Sequence, residues 1–308
     1  MTDWSALEHA YTGDPGIPET PQILAALLDE DPAVQNRALY DLHDLVHHQG
    51  GLYSATAPAA TAVVAMLHDP RTRTPVTPRT GRDAAAVPLT AALLHWLKSV
   101  MEAVTEPEEY RRGYPDDVAA CRALRPAVYE AARAMRMDPG PAVGAEALGV
   151  LSACLLDAAE LAQHRAEVAR WLSGPDFAPL DLHTRVLAVL NLRSWGYDTT
   201  PMMHADPDPL VRAAAATGAP ADSPTAARVL LEALSAARWS GWAFPHFGPV
   251  YWTEILPAAI DRAAPGDLAP VLAAFLAGRP VIDVGDWRDR LRRKALPELT
   301  ENVSPPQP

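Results

Sequence analysis

Residues able to do chemistry gather at two places in this chain of 308 residues. The first is the run His47-His48-Gln49-Gly50-Gly51-Leu52-Tyr53-Ser54-Ala55-Thr56-Ala57-Pro58. His47, His48 and Tyr53 bring two imidazoles and a phenol to one turn between helices, and imidazole is the side chain that changes charge near neutral pH. The run also reads as architecture. Gly50 and Gly51 would supply a left-handed helix end, Thr56 would cap the next helix, and Pro58 suits its first turn. The histidines then satisfy helix-end carbonyls, and this is the simpler of the two readings.

The second place is the stretch from Trp239 to Glu254, which holds three of the eight tryptophans and two of the four phenylalanines. Exposing that much ring surface on a loop rich in Gly and Pro would be costly. Trp239, Trp242, Tyr251 and Trp252 therefore either pack over the end of a helical core or line a ligand pocket, with His246 and Glu254 as polar groups among the rings. Of the two places, this one is the stronger candidate for contact with a small molecule. Isolated tryptophans elsewhere (Trp96 beside His95, Trp195 near Arg193, Trp287 between Asp286 and Arg288) read as fillers of gaps between helices.

Signals for other chemistry are weak. His43 and His47 stand four apart with Asp44 between them, a spacing that suits a metal, yet no third ligand accompanies them. No metal site and no cofactor is predicted. The sequence carries no Gly-x-Ser-x-Gly elbow, Walker loop, His-Glu-x-x-His pair or dinucleotide fingerprint. Cys121 and Cys154 lie in Ala/Leu-rich segments and read as small apolar residues, so no disulfide framework is expected. The basic run from Arg288 to Lys294 reads as a cap for the last helix, not a nucleic-acid contact.

The elements that must hold these residues are helical. Apolar residues make up 49% of the chain while aromatics make up only 6%, so Ala, Leu and Val dominate the core. That balance favours helix over sheet. Thirty-one prolines imply many helix ends, because proline fits a first turn and disrupts an interior. We expect helices over 20–28, 32–48, 57–68, 83–104, 116–136, 141–160, 163–173, 181–195, 207–217, 223–238, 250–263, 267–277 and 284–296. A basic loop covers 69–82 and a charged one 105–116. Three helices should open on Asp-Pro steps, Asp31-Pro32, Asp138-Pro139 and Asp206-Pro207, where Asp caps free N–H groups and Pro loses no bond. Arg37 and Arg212 are placed to answer such caps.

The formal charge of −12 disfavours a general nucleic-acid binder and suits a partner with a basic patch. The N-terminal residues lack the apolar core of a signal peptide, and no apolar run is long enough to span a bilayer. A cytoplasmic protein that avoids membranes is the expectation.

The Asp-Pro helices, most clearly 206–217, resemble the second helix of HEAT repeats. The run His47–Pro58 resembles a junction in bacterial HEAT-repeat proteins of unassigned role, where a helix ends in His-Gln-Gly and Tyr-Ser-Ala-Thr leads into a helix started by proline. The match covers about the first hundred residues. It implies an all-α fold, an α-solenoid of antiparallel helix pairs with irregular repeats. We expect one HEAT-like domain over 1–301 and a disordered tail over 302–308. Arrays of this kind serve mostly as binding surfaces. The expected function is therefore non-catalytic capture of a protein or peptide partner, in an immunity or regulatory role. The alternative is a small-molecule-pocket enzyme or resistance protein, with His246 or Glu254 as acid or base. A glycosylase-like variant is disfavoured by the charge.

Overall fold

The computed structural model describes residues 2–77, 86–105, 113–236, 250–276, 290, 291 and 294. The protein is predominantly helical, and among the described residues β1 (Pro75–Val76) and β2 (Val87–Pro88) form a short antiparallel pairing. Two compact units divide the chain, Met1–Leu180 and Asp181–Pro308.

In the first unit, α1 (Thr20–Ala26), α2 (Pro32–Asp41) and α3 (Thr56–Met66) lead to α4 (Leu89–Ala103). Next come α5 (Pro115–Ala123), α6 (Arg125–Met135), α7 (Pro141–Cys154) and α8 (Arg165–Leu172). The centre is α4, whose Leu89, Leu93, Leu94, Trp96, Leu97, Val100 and Met101 are wholly buried. A helix with so broad an apolar face belongs inside a bundle, and α4 packs along α7, which in turn packs on α6. Trp96 fills a wide gap there, in line with its reading as core.

In the second unit, α9 (Leu182–Ser194), α10 (Thr200–Ala205), α11 (Pro209–Ala216) and α12 (Pro224–Ala236) precede α13 (Leu256–Arg262) and α14 (Pro265–Leu276). Here the short α11 is central and touches α9, α10 and α12. Its Ala213, Ala214 and Ala216 are fully buried, and side chains this small let neighbouring helices approach closely.

Several boundaries differ from expectation for local reasons. Asp31 does cap α2, accepting from the Ala33 N–H at 2.8 Å with Pro32 in the first turn. The other two helices start two residues later than their Asp-Pro steps. Asp208, not Asp206, accepts from the Leu210 N–H at 2.8 Å ahead of Pro209. Asp206 instead binds Arg185 through both carboxylate oxygens at 3.0 and 3.1 Å. Asp138 turns to the Gly140 N–H and to Arg73, leaving α7 to begin at Pro141. Each acidic residue goes where a cation or free N–H lies closest.

Arg37 pairs with Asp41 one turn along its own helix, whereas Arg212 donates to the carbonyls of Asp206 and Pro207. The expected helix over 116–136 breaks at Leu124, where Pro126 removes an N–H. The expected 83–104 helix begins only at Leu89, after β2, and α10 was not expected at all. The basic loop contains a 3₁₀ turn at Pro70–Arg73, tied to α4 by the buried Thr72 and Thr90 hydroxyls 2.8 Å apart.

The expected tail over 302–308, most of the 284–296 helix, and Trp287 lie outside the described residues. From the basic run, Lys294 donates to the carbonyls of Asp261 and Ala263, and Arg290 pairs with the Asp261 carboxylate, so both close the end of α13. No helix among the described residues is long and apolar enough to cross a membrane.

Candidate functional site

After α2 the chain enters a π-helical turn, Leu42–Val46, and then a 3₁₀ turn, His48–Gly50. Turns with this extra residue favour functional sites because they re-aim side chains. The left-handed positions are Gln49 (φ 50°) and Gly50 (φ 80°), while Gly51 is extended. The expected pair of left-handed glycines is therefore shifted back by one residue. Thr56 does not cap α3 either. Its buried hydroxyl donates to the Val46 carbonyl at 2.7 Å and accepts from the Tyr53 N–H at 2.9 Å, stapling the junction shut.

His47 and His48 are neighbours with different surroundings. His47 is buried, its ring edge-on to Trp96. Its Nδ1 lies 2.9 Å from the Gly51 carbonyl oxygen, which only accepts, so the proton sits on Nδ1. The lone pair on Nε2 then accepts from the Ser99 hydroxyl at 2.9 Å. Burial holds the His47 pKa below the usual imidazole value, partly offset by the Gly51 carbonyl, by the Ser99 backbone and by Glu102. His48 is half-buried, donating from Nδ1 to the Asp44 carbonyl at 2.9 Å and facing the Tyr11 hydroxyl at 3.3 Å.

Tyr53 looks the other way. With Ser54 it lines a cleft of about 580 Å³, together with Glu8, Tyr114, Asp116 and Asp117. The cleft floor is backbone, where Leu52 and Gly113 form a parallel bridge. Gly113 has φ +145°, and a Cβ there would stand 2.6 Å from the Leu52 carbonyl oxygen, so only glycine fits. The N-terminal segment closes the side wall. Its Glu8 N–H donates to the Ser54 hydroxyl at 2.8 Å, and its Glu8 carbonyl accepts from Ala55.

The cleft is electrostatically lopsided. Asp116 and Asp117 open α5, whose N-terminal dipole offsets part of their charge. Even so, burial, then Asp116 and then Glu8, push the Asp117 carboxyl above the usual carboxylate range. None of these three carboxylates has a basic partner among the described residues. Tyr114 stands at the mouth with 78% of its surface exposed, an uncommon setting for a large ring.

A polar stripe runs along α4 on the other side of the junction. His95, Lys98, Ser99 and Glu102 recur at helical spacing. His95 Nδ1 lies 3.3 Å and the buried Lys98 Nζ 3.5 Å from a carboxylate oxygen of Glu146 on α7. The His43 and His95 ring centres stand 6.3 Å apart. Among the described residues no group of three or more His, Cys, Asp and Glu is placed to hold a metal ion. Burial pushes the Cys121 and Cys154 thiols up to about 12, so neither is a ready nucleophile.

Of the aromatic stretch, Trp239, Trp242 and His246 lie outside the described residues. Tyr251 and Trp252 belong to a π-helical turn, Tyr251–Ile255. The Glu254 carboxylate accepts from Arg193 at 2.8 Å, and Arg193 also donates to the Thr217 hydroxyl. Glu254 is thus already engaged by a cation. No family model matches this chain, and no curated protein matches it.

Sequence reasoning singled out Tyr53 but missed Glu8, Gly113, Asp116 and Asp117 as its neighbours. An acidic first turn after Pro115 was readable, but nothing linear joins it to a tyrosine some sixty positions earlier. The Ser99–His47 contact likewise spans 52 positions and has no local motif.

Proposed function

We propose that this protein is a binding module of irregular HEAT-like helix pairs, whose cleft beside Tyr53 receives a basic side chain from a protein or peptide partner. The observation that carries the proposal is the cleft lining, two tyrosines and three carboxylates around about 580 Å³. Like charges held together raise each other's energy, and an arriving ammonium or guanidinium removes that cost. Aromatic faces at the mouth add cation–π attraction and apolar contact for the long stem of Lys or Arg. The net charge of −12 supports the same polarity over longer range. An immunity or regulatory role in a bacterial cytoplasm suits such a module.

Titration of the whole protein with a short Arg- and Lys-rich peptide, followed by calorimetry, tests this. Binding is expected to weaken as salt rises. It should fall at least about tenfold in Asp116→Asn/Asp117→Asn, the loss of about 1.4 kcal/mol that one charge-assisted contact supplies. Tyr114→Ala should weaken binding while leaving the melting temperature in place, because the ring is mostly exposed. Equal affinity for a neutral peptide, or no change in the variants, would overturn the proposal.

A further inference from the structure

The contact between Ser99 and His47 goes beyond partner binding, and apart from Gly51 it uses none of the residues that line the cleft. We infer that Ser99 is a nucleophile primed by His47 for acyl transfer from carboxylic esters.

Three observations carry this. The Ser99 hydroxyl and His47 Nε2 are 2.9 Å apart, within the range that proton transfer needs. His47 is oriented by a third group, since its Nδ1–H donates to the Gly51 carbonyl at 2.9 Å, which leaves the basic lone pair facing Ser99. The base is deeply buried and edge-on to Trp96, while Ser99 is part-buried, so Ser99 is the more exposed member of the pair. Nucleophile, base and orienter thus occur in the order that acyl-transfer sites require, without the strand-turn-helix elbow that usually announces them.

The surroundings supply the rest. Because burial keeps His47 unprotonated at neutral pH, the lone pair is available, and Glu102 favours the imidazolium once it forms. In the reaction Ser99 Oγ bonds to the acyl carbon as its proton passes to His47 Nε2. That proton then leaves on the departing alcohol as the ester C–O bond breaks. Water attacks the acyl-serine, giving one proton to His47, which returns it to Ser99 Oγ as the carboxylic acid departs.

A fluorophosphonate tests the nucleophile directly, since phosphorylation of an activated serine releases fluoride and adds a fixed mass. The intact protein should gain one adduct, mapped to Ser99 by peptide mass spectrometry and absent in Ser99→Ala. His47→Gln should slow labelling about 100-fold or more, the scale of general-base assistance. Should that variant fail to fold, the pH profile of the wild type still decides. Base-assisted labelling stays level through neutral pH and falls only on acidification below the imidazole range. An unassisted serine gains about tenfold per pH unit as hydroxide rises. An adduct elsewhere, no adduct, or a hydroxide-proportional profile would overturn the inference.

Discussion

Two polar regions lie on either side of Gly51, and they are built on opposite principles. On one side His47 is buried, and its ring nitrogens lie 2.9 Å from the Gly51 carbonyl oxygen and the Ser99 hydroxyl. On the other side the cleft is open and holds Glu8, Asp116 and Asp117 with no basic residue paired to them among the described residues. A satisfied buried network fixes a conformation, because every alternative leaves a polar atom without water or partner. A cluster of like charges does the reverse and makes the free protein less stable than it could be. The two regions share Gly51, and their responses to mutation and pH should differ in sign.

The largest effect is expected at the floor of the cleft. Gly113→Ala places a methyl group against the Leu52 carbonyl at a φ that L-residues avoid, and should cost about 1–3 kcal/mol in urea unfolding. It should also abolish peptide binding at the cleft. Full binding in a folded Gly113→Ala protein would separate the cleft from its floor.

A middle-sized effect follows from His47. Its pKa is lowered in the folded state, so the unfolded chain takes up the proton first as pH falls below the ordinary imidazole value near 6.5. Stability from this group is complete above that value and is lost on acidification, by up to about 1.4 kcal/mol per pH unit, until the folded-state pKa is reached. His47→Gln should lower stability at pH 7.5 and remove this part of the acid slope between pH 7 and 5.5. Parallel slopes in urea melts of the two proteins would show that His47 does not carry it.

The smallest effect has the opposite sign. Asp117 has a raised folded-state pKa, so the native state holds its proton more tightly than the unfolded chain. Its unfavourable contribution is present in full above the folded-state pKa and fades as pH falls into the ordinary carboxyl range. Asp117→Asn should therefore raise the melting temperature slightly at neutral pH, and the gain should vanish in acid. The same variant weakens cation binding, and gained stability with lost affinity is the signature of a site in place of scaffold. A lower melting temperature at neutral pH would assign Asp117 to structure.

Most of the helical layout was legible because its signals are local. Pro32 after Asp31, Pro115 before two aspartates, and the Ala-rich run after Pro209 each declare a helix through neighbours in sequence. Misplacements arose where a distant partner outbid a near one. Asp206 binds Arg185 and Asp138 binds Arg73, and neither arginine is visible from the Asp-Pro step. The junction at 47–58 was recognised as important, yet its glycine geometry was off by one residue because the π-helical turn adds an unannounced residue to the helix before it.

The sequence by itself determined an all-α protein rich in proline-started helices and strongly acidic, since composition, capping and charge act over a few residues or over the whole chain at once. Only the tertiary structure decided that His47 is buried against Ser99, that Tyr53 shares a cleft with three carboxylates, and that Glu254 is held by Arg193. Those outcomes depend on which residues meet across dozens of positions, as the 52 between His47 and Ser99 and the 61 between Arg193 and Glu254 illustrate. Burial and hydrogen-bond geometry are set by that meeting, and no spacing along the chain encodes it.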